Sequence, residues 1–272
     1  MYRPIAPFLI GFLAVSVGVS CSNTRREDQK TAEGTTFREE GRGSTDSQTL
    51  HVAVVTGGHA FDVPNFYRLF RQLPGIDAYP QHIEHFASSP QAVRDSYDAI
   101  VFYGMEQGVP EEEGRRAGGN PRAAIERLVQ QGQGVVILHH ALLAWEKWDL
   151  WNQLVGFDNR NFRYKEGLNL QIQVNDKVHA ITQGISDFSI VDEGYVLHGS
   201  HDGEGTILLA TEHEDAMEQV AWTRQHGECR LFCLTLGHDD LAWSNPDFRE
   251  ILRRGIAWSA GASMDGGDGS DE

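Results

Sequence analysis

Twelve histidines occur in this chain of 272 residues, and four of them follow three short apolar runs. His59 comes after Leu50-His51-Val52-Ala53-Val54-Val55-Thr56-Gly57-Gly58. The pair His139-His140 follows Val135-Val136-Ile137-Leu138. His238 follows the run ending Leu236-Gly237. Imidazole titrates near neutral pH and is a common metal ligand, so such positions suit acid–base work or metal binding. We therefore take His59, His140 and His238 as candidate catalytic and metal-ligating residues. His139 and His140 are neighbours, and side chains alternate on an extended backbone. One of the two is then expected to face a site, and the reading favours His140. Asp192-Glu193-Gly194-Tyr195 adds a carboxylate, Glu193, as a candidate general base or ligand, with Tyr195 beside it as a substrate contact. Its alternative reading is a solvated acidic turn. Asp239 directly follows His238 and joins the substrate-binding candidates. A mixed His and carboxylate set points first to zinc.

Other residues are more ambiguous. Trp145, Trp148 and Trp151 recur every three residues. They form either a core stripe or an aromatic platform for sugar rings, and Trp145 and Trp148 are carried as substrate-binding candidates. His82, His85, His201, His213 and His226 lie in polar or alternating contexts and read as surface residues. Gly57-Gly58 does not extend to a dinucleotide fingerprint, so no nucleotide cofactor is expected. Cys229 and Cys233 sit four apart on one predicted strand, roughly 13 Å at a strand's rise, too far for a disulfide.

Elements that bring distant histidines together must be strands that end on one edge. Leu50–Val55, Ala78–Phe86, Tyr97–Tyr103 and Val135–Leu138 are apolar runs that alternate with helical patterns. Helices are predicted across Phe66–Leu73 and over 121–131, the latter opened by Pro121. This is the pattern of a parallel sheet buried on both faces. In such sheets ligands bind beyond the carboxyl ends of the strands. The second half is richer in strands, with Leu168–Val174, Phe188–Val191, Thr206–Thr211, Gln219–Thr223 and Arg230–Leu236. A last helix is predicted over 246–259.

The ends of the chain read differently. Residues 1–20 carry one arginine and then a mostly apolar run, the pattern of an export signal. Gly18-Val19-Ser20-Cys21 is similar to a lipoprotein processing box, with Gly18 where leucine is usual, and it makes Cys21 the candidate lipidation site. An ordinary cleaved signal or a membrane anchor is the alternative. Residues 21–48 read as a polar tether and 262–272 as an acidic disordered tail, which leaves a domain of 49–261. The expected location is the periplasm or cell envelope, with a lipid bilayer as partner through the anchor. Net charge is −16, from 23 basic and 39 acidic residues. That balance argues against nucleic acid as a partner.

Several segments together resemble the ThuA-like (trehalose utilisation) family. They are VVTGGHAF at 54–61, GVVILHHAL at 134–142, VHAIT at 178–182, DEGY at 192–195, VAWTRQHGECRLFCLTLGHD at 220–239 and the closing FREILRRGIAW. The resemblance implies a flavodoxin-like, class I glutamine amidotransferase-like three-layer sandwich. Its central sheet would be mostly parallel, with extra β elements in the C-terminal half. It implies a link to trehalose and related sugars, and it marks His179 as a substrate-binding candidate. In the amidotransferase relatives the turn after the central strand carries a nucleophilic Cys. Here that turn reads Leu138-His139-His140-Ala141-Leu142, so no glutaminase activity is expected. Two departures from the family pattern are the lost proline after His179 and Gly194 in place of a second Glu.

Two functions are then compatible with the residues. One is an enzyme acting on a small carbohydrate or oxidised sugar through a His-rich site, with a divalent metal or with acid–base chemistry. The other is a non-catalytic, surface-displayed sugar-binding or scaffolding lipoprotein that uses the tryptophans.

Overall fold

The computed structural model describes residues 49–112 and 118–262. The proposed signal segment, Cys21, the tether and the tail from residue 263 lie outside the described residues.

The first half alternates as expected. β1 (Leu50–Thr56) leads to α1 (Val63–Arg71), then β2 (Ile76–His82), α2 (Ile83–Ser88), α3 (Gln91–Arg94) and β3 (Ala99–Phe102). α4 (Pro121–Gln130) and β4 (Gly134–Leu138) follow. A short 3₁₀ helix (His139–Leu143) and α5 (Asp149–Val155) come next. The second half comprises β5 (Phe162–Val174), β6 (Phe188–Leu197), β7 (Thr206–Ala210), β8 (Gln219–His226), β9 (Cys229–Leu234), α6 (Asp240–Trp243) and α7 (Pro246–Ser259).

Among the described residues these strands form one sheet in the order β2-β1-β3-β4-β9-β8-β7-β5-β6. The block from β2 to β9 is parallel. The block from β9 to β6 is antiparallel throughout. The sheet is therefore mixed, and the expectation of a mostly parallel sheet is corrected. The cause is local: β7, β8 and β9 follow one another through short connections. Short connections join antiparallel neighbours, whereas parallel ones need a crossover.

Two further expectations change. The run Ala78–Phe86 does not stay extended. Nδ1 of His82 accepts a hydrogen bond from the Glu84 amide at 3.2 Å, which caps α2 and turns Ile83, Phe86 and Ala87 inward. The segment 192–195 is not a turn. It continues β6, with Asp192 opposite Leu168 and Tyr195 opposite Tyr164 on β5.

Side-chain alternation along the central strands divides the interior into two cores. Val52 and Val54, Val101, Val136 and Leu138, and Phe232 and Leu234 face α1, α6 and α7. Ala53 and Val55, Ile100 and Phe102, Val135 and Ile137, and Leu231 and Cys233 face α2, α4 and α5. This is the three-layer arrangement that strands buried on both faces require.

The tryptophan stripe belongs to the second core, which corrects its assignment to substrate binding. Trp145 and Trp148 are only 4% and 5% exposed. Trp145 packs edge-on against Trp151 with ring centroids 4.7 Å apart, and Trp151 packs on Phe102 at 5.1 Å. Trp151 donates its indole N–H to the Ala141 carbonyl at 2.9 Å. Large rings in contact with one another hold more stability in the core than on a wet surface, and they offer no free face to a sugar.

Candidate functional site: a histidine cluster at the carboxyl edge of the sheet

The parallel strands β1, β3, β4 and β9 share one direction, so their carboxyl ends fall on one edge. β1 ends in Gly57-Gly58. Gly58 has φ +76°, and a Cβ there would overlap the Met105 backbone carbonyl. The Met105 amide donates to the Gly57 carbonyl at 2.8 Å, so the turns after β1 and β3 are joined. Because Gly58 meets both a left-handed φ and rigid backbone, Gly58→Ala is expected to cost about 2 kcal/mol or more. A denaturant midpoint shift at constant slope would measure it.

The turn delivers His59. Its Nδ1 lies 3.3 Å from the Gly57 carbonyl, which places the proton there and leaves Nε2 as a buried acceptor without a partner. The ring lies over His140, with centroids 4.1 Å apart, and against Tyr103 at 5.1 Å.

After β4 the chain turns sharply. His139 has φ +49°, a left-handed conformation uncommon for a residue with a Cβ. This bend, followed by the 3₁₀ helix, swings both imidazoles to the same side. Their ring centroids are 4.4 Å apart. The expectation that only His140 faces the site is thereby corrected, since alternation holds only on extended backbone. The turn is held from below by Arg160, 2% exposed. Its guanidinium donates to the carbonyls of Leu142 at 2.7 Å, Trp145 at 2.9 Å and Ala144, and to Oδ1 of Asn152 at 2.9 Å.

β6 brings the carboxylates. Asp192 accepts from the amides of Gly237 at 2.7 Å, His238 at 3.0 Å and Glu193 at 2.8 Å. It ties the turn after β9 to β6. Burial pushes its carboxyl up to about 7, against the pull of those three amides. Glu193, 5% exposed, points its Oε2 at His139 Nε2 at 3.2 Å and at His140 Nε2 at 4.0 Å. His238 closes the ring of groups, with centroids 5.5 Å from His139 and 5.6 Å from His140. Asp239 lies beside it, 3.9 Å from its Nδ1, and also caps α6 by accepting from the Leu241 amide. Tyr103 donates towards the Gly237 and His238 carbonyls, each at 3.2 Å.

The proton positions follow from these partners. Nδ1 of His139 lies 2.5 Å from the Thr235 carbonyl, so it carries the proton and donates. Nε2 therefore presents a lone pair. The Tyr195 hydroxyl, 2.6 Å away, donates to it. The same lone pair also faces Glu193 Oε2, with no proton between them. Burial lowers the pKa values of His59, His139 and His140, most strongly for the latter two, and their mutual proximity adds to this. Each of these shifts favours the neutral ring. Buried polar atoms without hydrogen-bond partners remain on His59 Nε2, His140 Nδ1 and Glu193 Oε2.

Neutral imidazoles converging on a buried carboxylate can hold a cation. A backbone carbonyl on the far ring nitrogen is the usual outer support of a metal-ligating histidine. His139, His140 and Glu193 each offer a ligand atom, all within 4.8 Å of one another. Glu166, Glu193 and His238 satisfy the same criterion. Sequence alone points to a metal on His59, His140 and His238. The structure gathers these three, but the metal-capable sets replace His59 with His139 and the two glutamates.

Of the sequence candidates, His59, His140, Glu193, Tyr195, His238 and Asp239 come together, while Trp145 and Trp148 do not. His179 also falls elsewhere. Its Nδ1 accepts from the Ile181 amide and its ring packs on Trp258 at 5.5 Å, so it shapes the 176–182 turn. His201, read from sequence as a surface residue, is instead a largely buried side chain packed on Phe157 and Trp222. His139, Tyr103, Asp192, Arg160 and Glu166 are site residues that sequence reasoning misses.

Fold and site together define a three-layer α/β protein with a mixed sheet and a histidine cluster after its central strand. The profile of the trehalose utilisation (ThuA) family matches residues 85–259, and the chain belongs to that family. A solved structure described as a ThuA-like protein from Parabacteroides merdae superposes with a TM-score of 0.64 at 18% identity, covering 81% of this chain and 93% of that one. A second, described as ThuA-like from Bacteroides uniformis, gives 0.58 at 15% identity over 79% and 93%. A protein from Thermoplasma acidophilum, described as part of a GMP synthase, gives 0.50 at 12% identity over 79% and 96%. At these identities the likeness is one of fold. No curated protein matches the chain significantly.

Proposed function

We propose that this chain is an enzyme of carbohydrate metabolism, acting on trehalose-related or oxidised (keto) sugars through a divalent cation held by His139, His140 and Glu193. The supporting observation is the buried Glu193 Oε2, without a hydrogen-bond partner and set 3.2 Å from His139 Nε2. Two histidines and one glutamate are a donor set typical of catalytic zinc. When bound, the ion would polarise a sugar carbonyl or activate a water. His59 would accept or deliver a proton beside the cation. Family membership supports the sugar-related role.

Glutamine hydrolysis is not part of this proposal. Among the described residues the free cysteines are Cys229 and Cys233, both buried. Burial pushes the Cys229 thiol up to about 12 and raises Cys233 as well. Neither forms a thiolate nucleophile at pH 7. Both are expected to resist Ellman's reagent until the protein unfolds, and prompt labelling of native protein would contradict this.

The direct test is elemental analysis of purified protein, followed by thermal shift with zinc, manganese and EDTA and a screen of trehalose and keto-disaccharides. Bound metal, stabilisation by zinc and turnover abolished in His140→Ala support the reading. An absence of metal and of any thermal shift refutes it. We further propose export and lipid attachment at Cys21. In a bacterial host, Cys21→Ala should move the protein from the membrane to the soluble fraction, and an unchanged membrane fraction would refute it.

A further inference from the structure

We infer that the site is built for two divalent cations rather than one, with Glu193 shared between them and Glu166 and His238 completing the second position. This rests on the metal reading above and extends it to residues outside the first set.

The geometry begins with β5. Lys165 pairs with Gly194 and Leu168 pairs with Asp192, so Glu166 and Gly167 together stand opposite Glu193 alone. Two residues against one is a β-bulge, a device that re-aims a side chain and is common beside active sites. Gly167 takes φ +66°, the left-handed conformation that such bulges ask of glycine. The result is that the ligand atoms of Glu166, Glu193 and His238 lie within 4.8 Å of one another.

The second observation is Glu193 itself. A carboxylate has two oxygens with about four acceptor sites. Its Oε2 is buried and has no hydrogen-bond partner in a side chain that is only 5% exposed. A group in that state costs stability unless a cation satisfies it. Both three-residue sets include this one carboxylate. Carboxylate-bridged pairs of ions, typically about 3.5–4 Å apart, are a recurring arrangement in hydrolytic sites.

The donor sets suit two positions as well: the first holds the Glu193 carboxylate and the second adds that of Glu166. A pair of cations there would suit the adjacent oxygens of a sugar diol or hydroxyketone. Glu166 is exposed, which leaves a route for the second ion to enter and exchange.

Zinc titration with stoichiometry read by native mass spectrometry tests this on the full chain, in wild type, Glu166→Ala and His139→Ala. Manganese electron paramagnetic resonance adds a second readout, because two ions this close couple magnetically. The expected result is two zinc ions in wild type, one in Glu166→Ala, and a coupled manganese signal that Glu166→Ala abolishes. One zinc in both wild type and Glu166→Ala overturns the pair and leaves the single-ion reading standing. Two zinc ions in both also overturns it, because the second ion would then lie elsewhere. No zinc in any form overturns both readings. Since Glu166 is exposed on a bulge, its truncation should leave the fold intact, and circular dichroism checks that.

Discussion

Glu193→Gln should raise the melting temperature of the metal-free protein and at the same time abolish its stabilisation by zinc. In the metal-free state the buried Glu193 Oε2 faces the His139 Nε2 lone pair at 3.2 Å with no hydrogen between them. Glutamine removes the buried charge and replaces an unpartnered carboxylate oxygen with an amide. Losing that charge and that orphaned acceptor should contribute about 1–2 kcal/mol. For a domain of this size that is roughly 3–6 °C. The metal-loaded protein behaves oppositely. A ligand at about 1,000 times its dissociation constant stabilises by about 4 kcal/mol, and the variant loses most of this with its anionic ligand. Calorimetry with EDTA and with zinc reads both effects. A lower melting temperature without metal, together with an unchanged zinc shift, would mean that Glu193 is an ordinary structural carboxylate.

Arg160→Met should be the most destabilising single change near the site. The guanidinium is buried and carries four hydrogen bonds, three of them to carbonyls of the turn that follows the histidine pair. Methionine fills similar volume but leaves those carbonyls unpaired. Hydrogen bonds to a charged donor contribute about 1.5–3 kcal/mol each, and part is recovered because the buried charge goes too. A net loss of about 3–5 kcal/mol follows, or roughly 10 °C in melting temperature. Lysine should not rescue it, because a single ammonium cannot reproduce the planar fork. Zinc affinity should fall as well, since the turn sets where His139 and His140 point. A change below about 1 kcal/mol would show that the turn holds its shape without Arg160.

The parts of this structure written in local sequence are the ones that could be read directly. β1, β3, β4 and α7 follow from continuous apolar runs, or from an apolar face behind Asn245-Pro246, whose carboxamide accepts from the Asp247 and Phe248 amides. Strand ends and the parallel rule were enough to place His59, His140 and His238 on one edge. What could not be read depends on backbone departures from regular geometry. His139 joins the cluster only because φ turns positive there. Glu166 joins through a bulge whose partner strand begins twenty-two residues later in sequence (188 − 166). Arg160 lies in a connection with no periodic pattern, and only the carbonyls that converge on it reveal its role. Trp145 and Trp148 show the converse difficulty. A three-residue stripe of large rings fits a sugar platform and a packed interior equally well, and only knowledge of what covers them decides.

The pairing of β4 with β9 has a consequence for how the chain is made. Val135 meets Leu231, ninety-six positions further along (231 − 135). At ribosomal rates of about 5–20 residues per second, some 5–20 s separate their synthesis. During that interval β4, an apolar strand and the one that leads into the histidine turn, has an open edge able to recruit other chains. Nascent protein should therefore depend on a holdase until its last quarter emerges, and any truncation before residue 229 should aggregate rather than yield a smaller working domain.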